Sequence, residues 1–462
     1  MSEHMTPDEF RLHGKALIDW IADYWEAVGD MSILPTVAPG DIRALLPNAA
    51  PEVGEPFEAM LSDLDEIVMK GVTHWQSPGW FAYFPANVSF PAILGDLASS
   101  GLGQQGMLWQ TSPATTEIES HVLDWLVDLM GLPQAWKTTS TGGGVLQMSA
   151  SDSTHTAIVV ARSRRAGVDP SRMVAYASTQ AHSSIEKGAR VAGIGHVRLI
   201  ETDDAFAMRA DLLADTIAQD TADGLAPVFV CATLGTTGTT AVDPLRSVGE
   251  IARGHGMWFH VDAAYAGNAM ICEEFRHHLE GVDLADSYTF NPHKWLLTNF
   301  DCSVFWVADR RPLIDTMNIV PPYLRNAASE RGDVIDYRDW HVPLGRRFRA
   351  LKLWFVLRHY GAEGLRSYIR SHVRLAQRLT ERIEEHPRLE LVAPTTFGLV
   401  SFAHVDGNDA TTRIVEAINA TLTSYVVASM LGDRKFVRVS IGSTLTESTH
   451  VDAVWDAIES AV

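Results

Sequence analysis

Asn291-Pro292-His293-Lys294-Trp295 follows Ser287-Tyr288-Thr289-Phe290, a short apolar run that reads as a buried strand. Lys294 is therefore set among apolar and turn residues just past a strand end. In water a lysine is protonated and a weak nucleophile, but desolvation disfavours the charged form. An amine so placed can condense with an aldehyde. A lysine at a strand end can equally snorkel to solvent, and the rest of the chain has to decide between the two.

Working outward, short apolar runs alternate with helical segments up to about residue 310. Val174-Ala175-Tyr176, Val197-Arg198-Leu199-Ile200, Val228-Phe229-Val230-Cys231, Trp258-Phe259-His260-Val261 and Val304-Phe305-Trp306-Val307 are the strand candidates. This alternation predicts an α/β protein with a mostly parallel sheet covered on both faces. Ligands of such sheets sit beyond the carboxyl ends of the strands.

Three further elements fall at such ends. Asp262 closes the strand before Ala263 and Ala264, and a carboxylate there either caps a strand end or needs a cationic partner. Thr141-Gly142-Gly143-Gly144 leads to Ser149-Ala150-Ser151-Asp152-Ser153-Thr154 and then a helical run. Hydroxyls and free N–H groups at a helix start favour an anion such as phosphate, although serine-rich caps are common. His182, in Gln180-Ala181-His182-Ser183-Ser184, is a structural histidine unless a flat ring lies beside it. A phosphate site, an acid for a ring nitrogen, an imidazole face and a lysine for an aldehyde together meet the binding needs of pyridoxal 5'-phosphate.

The flanks read differently. Thr6-Pro7-Asp8-Glu9 is a capping box, and Phe10, Leu17, Ile21, Tyr24, Trp25 and Val28 recur at helical spacing behind it. Several prolines follow, so residues 1–89 are expected to form a helical arm that packs on a larger body, a partner subunit's. No Asp, Glu, Lys or Arg stands between Lys70 and Asp96, and Pro78, Pro85 and Pro91 defeat a membrane helix there. Burial of Trp75, Trp80, Phe81, Tyr83 and Phe84 at a pocket or interface is expected instead. Ser112-Pro113 caps a helix that Gly131 and Pro133 stop. Residues 90–351 are expected to form the large domain. Residues 352–462, with a long helical region through Arg382 and strands near Leu389–Val392 and Lys435–Ser440, read as a small α+β domain.

The chain has 462 residues, 46% hydrophobic and 20% charged, with a net charge of -20. That balance belongs to a folded protein and repels nucleic acid and anionic lipid. Arg346, Arg347, Arg349 and Lys352 alternate with apolar residues and read as the solvated face of a helix. Cys231, Cys272 and Cys302 show no pairing or zinc spacing, and Met1-Ser2-Glu3-His4-Met5 lacks the marks of a signal peptide, which fits a reducing cytoplasm. The histidines, His277-His278 and His293 among them, lack ligand spacing, so no metal is expected.

His260-Val261-Asp262-Ala263-Ala264-Tyr265-Ala266-Gly267, Ala285-Asp286-Ser287, Asn291-Pro292-His293-Lys294-Trp295 and Pro343-Leu344-Gly345-Arg346-Arg347-Phe348-Arg349 resemble the group II pyridoxal-phosphate decarboxylases, specifically the aromatic L-amino-acid decarboxylases. The likeness runs over nearly the whole chain. It implies the fold-type I, aminotransferase-like architecture with a mostly parallel seven-stranded sheet, and a homodimer with active sites at the subunit interface. By the same resemblance Lys294 would hold the cofactor's aldehyde and Asp262 would pair with its ring nitrogen. Ala264 would lie under the ring and His182 above it, with Thr236 in contact. Ala150, Ser151, Asn291 and His293 would line the phosphate, with Gly345 approaching from the other subunit. Pro322-Tyr323-Leu324 matches the family's catalytic loop, whose tyrosine protonates the carbon left by carbon dioxide. Members with phenylalanine there tend to make aldehydes, so Tyr323 favours an amine. The substrate pocket would comprise Trp75, Tyr83, Phe84, Pro85 and, across the interface, Met107. Gly345 leaves room for an indole, so tryptophan is favoured over phenylalanine, tyrosine and dihydroxyphenylalanine. An aldehyde-forming enzyme and a non-catalytic protein of the same fold are the alternatives.

Overall fold

The large sheet has the order β1-β7-β6-β5-β4-β2-β3. Its strands are β1 (Gly143–Gln147), β2 (Met173–Ser178), β3 (His196–Ile200), β4 (Ala226–Thr233), β5 (Trp258–Asp262), β6 (Ser287–Phe290) and β7 (Ser303–Val307). β7 alone runs against its neighbours, pairing antiparallel with both β1 and β6. The computed structural model describes residues 4–319 and 334–462. The sheet is mostly parallel, as its apolar runs predict, and its central strands are buried along their length.

Two local readings change. Gly143 and Gly144 do not cradle an anion; they lie in β1. A Cβ on Gly143 would stand 2.6 Å from the Trp340 ring and one on Gly144 the same distance from Trp306. The glycines admit two core tryptophans that a side chain would displace. Between Asp262 and Lys294, where the length allows a helix and a return strand, the chain makes 3-10 turns (Ala266–Ile271, Glu273–Leu279, Val282–Leu284) before β6.

The basic cluster is a larger correction. Its helix begins only at Ala350. Arg346 and Lys352 are buried, Arg349 pairs with Asp301 at 2.8 Å, and Lys352 lies 3.6 Å from Asp96. Only Arg347 reaches solvent freely. Acids from distant segments draw the other cations inward, because a buried charge must be paired.

The C-terminal sheet, β10-β11-β9-β8, is antiparallel throughout. It comprises β8 (Leu389–Leu391), β9 (Leu399–His404), β10 (Val427–Leu431) and β11 (Arg434–Ser440). The helix Ala350–Glu385 joins the two sheets and is interrupted at Gly361, whose φ of 63° suits glycine. The segment around Phe81 is stitched to this second sheet: Phe81 N–H donates to Tyr425 O and Ser440 N–H to Phe81 O, at 3.0 and 2.9 Å. The first helix, Pro7–Ala27, has the predicted capping box and buries none of its residues. Phe10 and Leu12 are 61% and 64% exposed.

Candidate active site

Five strands deliver the site from one edge of the sheet. Asp262 ends β5, in register with Thr233 of β4 and Thr289 of β6. Lys294 follows β6, His182 follows β2, Thr236 follows β4, and β1 leads into the helix Ala150–Ser163, capped by Ser149 through a bond from the Asp152 N–H.

Burial lowers the proton affinity of Lys294, opposed by Asp262 and reinforced by Arg438. The ammonium lies 5.2 Å from the centre of the Phe84 ring. Asp262 is buried at 4% exposure and accepts the Ala264 N–H at 3.0 Å, while Ala264 O accepts from Asn291 N–H at 3.0 Å. Asp262, Ala264, Asn291 and Lys294 thus form one connected wall. Burial also depresses His182, Asp262 pulling it back. His182 Nδ1 accepts the Ser184 N–H at 3.2 Å, which leaves Nε2 to carry the proton of the neutral ring. His293 is pushed down to about 3 by burial and by Lys294, and its Nδ1 accepts the Cys302 N–H at 3.0 Å.

Thr236 is fully buried inside its own turn, its hydroxyl 3.1 Å from both Thr239 Oγ1 and the Ala241 N–H it accepts. Ala150 is buried and Ser151 exposed at the helix start. Trp75 and Tyr83 stack at 5.7 Å and stay partly exposed, whereas Phe84 and Pro85 are buried. Met107 and Gly345 belong to two segments that meet each other: Gly106 N–H donates to Arg346 O at 3.0 Å, and Gly345 lies against Gln105. No hydrogen bond among the described residues joins them to Lys294. Tyr323 lies outside the described residues.

Sequence reasoning missed Arg438. Its guanidinium sits 5.4 Å from the Phe84 ring, Nη2 donates to Tyr83 O at 3.2 Å, and Nε is buried without a hydrogen-bond partner among the described residues. Burial lowers it to about 10. Sequence reasoning also missed the column of rings behind Lys294. Phe84 stacks on Tyr265 at 4.0 Å, Tyr265 on Trp295 at 4.8 Å, and the Trp295 indole N–H donates to His372 Nδ1 at 3.0 Å.

The model of the pyridoxal-dependent decarboxylase conserved domain matches residues 39–405. The chain belongs to the pyridoxal-dependent decarboxylases. This decarboxylase is 44% identical to the aromatic-L-amino-acid decarboxylase of Bos taurus, over 98% of this chain and 96% of that one. It is 42% identical to the phenylacetaldehyde synthase of Arabidopsis thaliana, over 98% and 96%. Oryza sativa TDC, solved with PLP and tryptamine, shares its fold with a TM-score of 0.97 at 38% identity, covering 100% of this chain and 99% of the other. The architecture is fold-type I, with a small antiparallel unit after the large sheet.

The decarboxylase's cofactor is pyridoxal 5'-phosphate, and the site fits it. A lysine of lowered proton affinity and a buried carboxylate flank one space, the Asn291 Oδ1 atom is buried without a partner among the described residues, and a capped helix start supplies N–H donors.

Proposed function

We propose that this decarboxylase removes the carboxyl group of an aromatic L-amino acid, tryptophan before phenylalanine, tyrosine or dihydroxyphenylalanine, and releases the amine and carbon dioxide. The observation that carries the reading is the placement of Lys294 5.2 Å from the Phe84 ring, with the Asp262 carboxylate close enough to oppose the lysine's loss of proton affinity. When bound, the cofactor supplies the electron sink for loss of carbon dioxide.

Lys294, its proton affinity lowered by burial, would hold the cofactor through its aldehyde. Asp262 would pair with the cofactor's ring nitrogen, and Ala264, His182 and Thr236 would hold the ring. Ala150, Ser151, Asn291 and His293 receive the phosphate. Arg438, a buried cation with a free N–H, is placed to meet the substrate's carboxylate before it leaves. Tyr323 donates a proton to the carbon that carbon dioxide leaves behind.

The chain works as a homodimer in a reducing compartment. Residues 1–89 form the arm, 90–351 the cofactor domain and 352–462 the small domain. The uncovered apolar face of the helix Pro7–Ala27 supports an interface, across which Met107 and Gly345 would serve a second site. The three cysteines are buried and free.

The likeness to an aldehyde synthase favours a second reading, oxidative decarboxylation to the aldehyde. Purified protein supplied with pyridoxal phosphate and each aromatic amino acid separates the two. Amine and carbon dioxide without hydrogen peroxide are expected, and Tyr323→Phe should divert product toward aldehyde and peroxide. Peroxide from the unaltered chain, or an unchanged amine yield from the variant, contradicts the assignment.

A further inference from the structure

Strand β1 stands at the edge of the large sheet, with β7 on one side and no strand on the other. Its outward backbone groups need partners of another kind. At Leu146 they meet an ion pair. Glu119 Oε1 accepts the Leu146 N–H at 2.8 Å, Arg346 Nη2 donates to the Leu146 carbonyl at 3.1 Å, and the same oxygen and nitrogen meet each other at 2.6 Å. Both side chains are buried, at 0% and 1% exposure, and the guanidinium lies 4.6 Å from the Tyr337 ring centre. Carboxylate and guanidinium together stand where a neighbouring strand would.

One end of this arrangement leads to the phosphate side of the chain's own site and the other to the edge that would serve the second site. β1 runs from Leu146 into the Ser149 cap and the helix start at Ala150 and Ser151. On the other side the Arg346 main chain is pinned twice, its N–H donating to Gln105 Oε1 at 2.7 Å and its carbonyl accepting from Gly106 at 3.0 Å. Those bonds fix Gly345 and Met107.

We infer that Glu119 and Arg346 are a positioning pair that holds the phosphate-side helix start and the Gly345–Met107 edge in one frame. The inference rests on the roles given above to Ala150, Ser151 and Gly345. Stability alone does not call for ions here, since apolar side chains of similar volume often close a buried gap as well. The charges add direction, because one guanidinium nitrogen, Nη2, must meet a carbonyl and a carboxylate oxygen at once.

The test titrates apoenzyme with pyridoxal phosphate, following protein fluorescence, and unfolds the same apoproteins in urea. Arg346→Lys keeps the charge on a shorter side chain that stops short of both acceptors, and it should bind the cofactor roughly tenfold or more weakly. The double variant Glu119→Leu with Arg346→Met removes the pair without stranding either charge; it should unfold near the native midpoint yet keep the weakened affinity. Native affinity in both variants would overturn the inference. So would affinity that recovers together with stability in the double variant. A native chain that takes up no pyridoxal phosphate would instead bring down the site reading, and the inference with it.

Discussion

Lys294 and Arg438 converge on one aromatic ring, the ammonium 5.2 Å and the guanidinium 5.4 Å from the centre of Phe84. They come from opposite ends of the fold, one after β6 and the other from β11. Burial lowers the proton affinity of both, and the ring's negative face offsets part of that cost. One cation is thereby ready to give up its proton while the other keeps its charge for an anion.

Lys294 should carry the cofactor. Borohydride reduction of the holoenzyme followed by peptide mass spectrometry is expected to find the adduct on Lys294. Lys294→Ala should lose the visible absorption band and at least about a thousandfold in kcat. An adduct at any other lysine refutes the assignment.

Arg438→Met should raise KM for the amino acid by roughly tenfold or more, as expected when a charge-assisted bond of about 1.5 to 3 kcal/mol is lost. Inhibition by the corresponding amine, which has no carboxylate, should hardly change. Steady-state kinetics with both ligands reads the difference, and equal loss for the two would remove Arg438 from carboxylate binding.

Gly345→Ser should shift preference from indole toward phenolic substrates. The ratio of kcat/KM for tryptophan to that for tyrosine is expected to fall by roughly tenfold, the effect of about 1.4 kcal/mol of discrimination in the pocket. An unaltered ratio would show that position 345 does not face the substrate.

His372 supplies a pH-dependent stability term. Burial holds its imidazole down to about 4 from the usual 6.5, and Nδ1 accepts the Trp295 N–H. The unfolded chain therefore binds a proton that the fold refuses, and stability present above pH 6.5 is lost as the pH falls toward 4. His372→Gln keeps an acceptor without a titrating group. Urea unfolding at pH 7, 6 and 5 should show a shallower decline in the variant, by up to about 1.4 kcal/mol per pH unit. Parallel curves would exclude His372 as the source.

The parts of this molecule that are legible in the sequence are those whose signal is local. Five apolar runs mark β2, β3, β4, β5 and β7, Ser287–Phe290 marks β6, and turn residues after two of these strands flag Asp262 and Lys294. β1 was hidden because its glycines resemble a loop, and they make sense only once Trp306 and Trp340 are seen against them. β9 and β10 are flanked by turn residues, Gly398 and Asp406-Gly407 around the one and Gly432-Asp433 after the other, but such residues stop helices as well and do not separate the two readings. Arg346 and Lys352 read as surface residues because Glu119 and Asp96, which neutralise or face them, lie far back in the chain. Arg438 escaped for the same reason: Phe84 and Tyr83, its neighbours, belong to a segment that joins β11 only in the folded state.

The ring column from Phe84 through Tyr265 and Trp295 to His372 braces the surroundings of Lys294 against the rest of the fold. Its last member belongs to the helix that connects the two sheets, so prising the sheets apart would mean unstacking rings one after another beside the reactive amine. Trp75 and Tyr83 face water instead, at 37% and 51% exposure, and are not locked between the sheets as the column is.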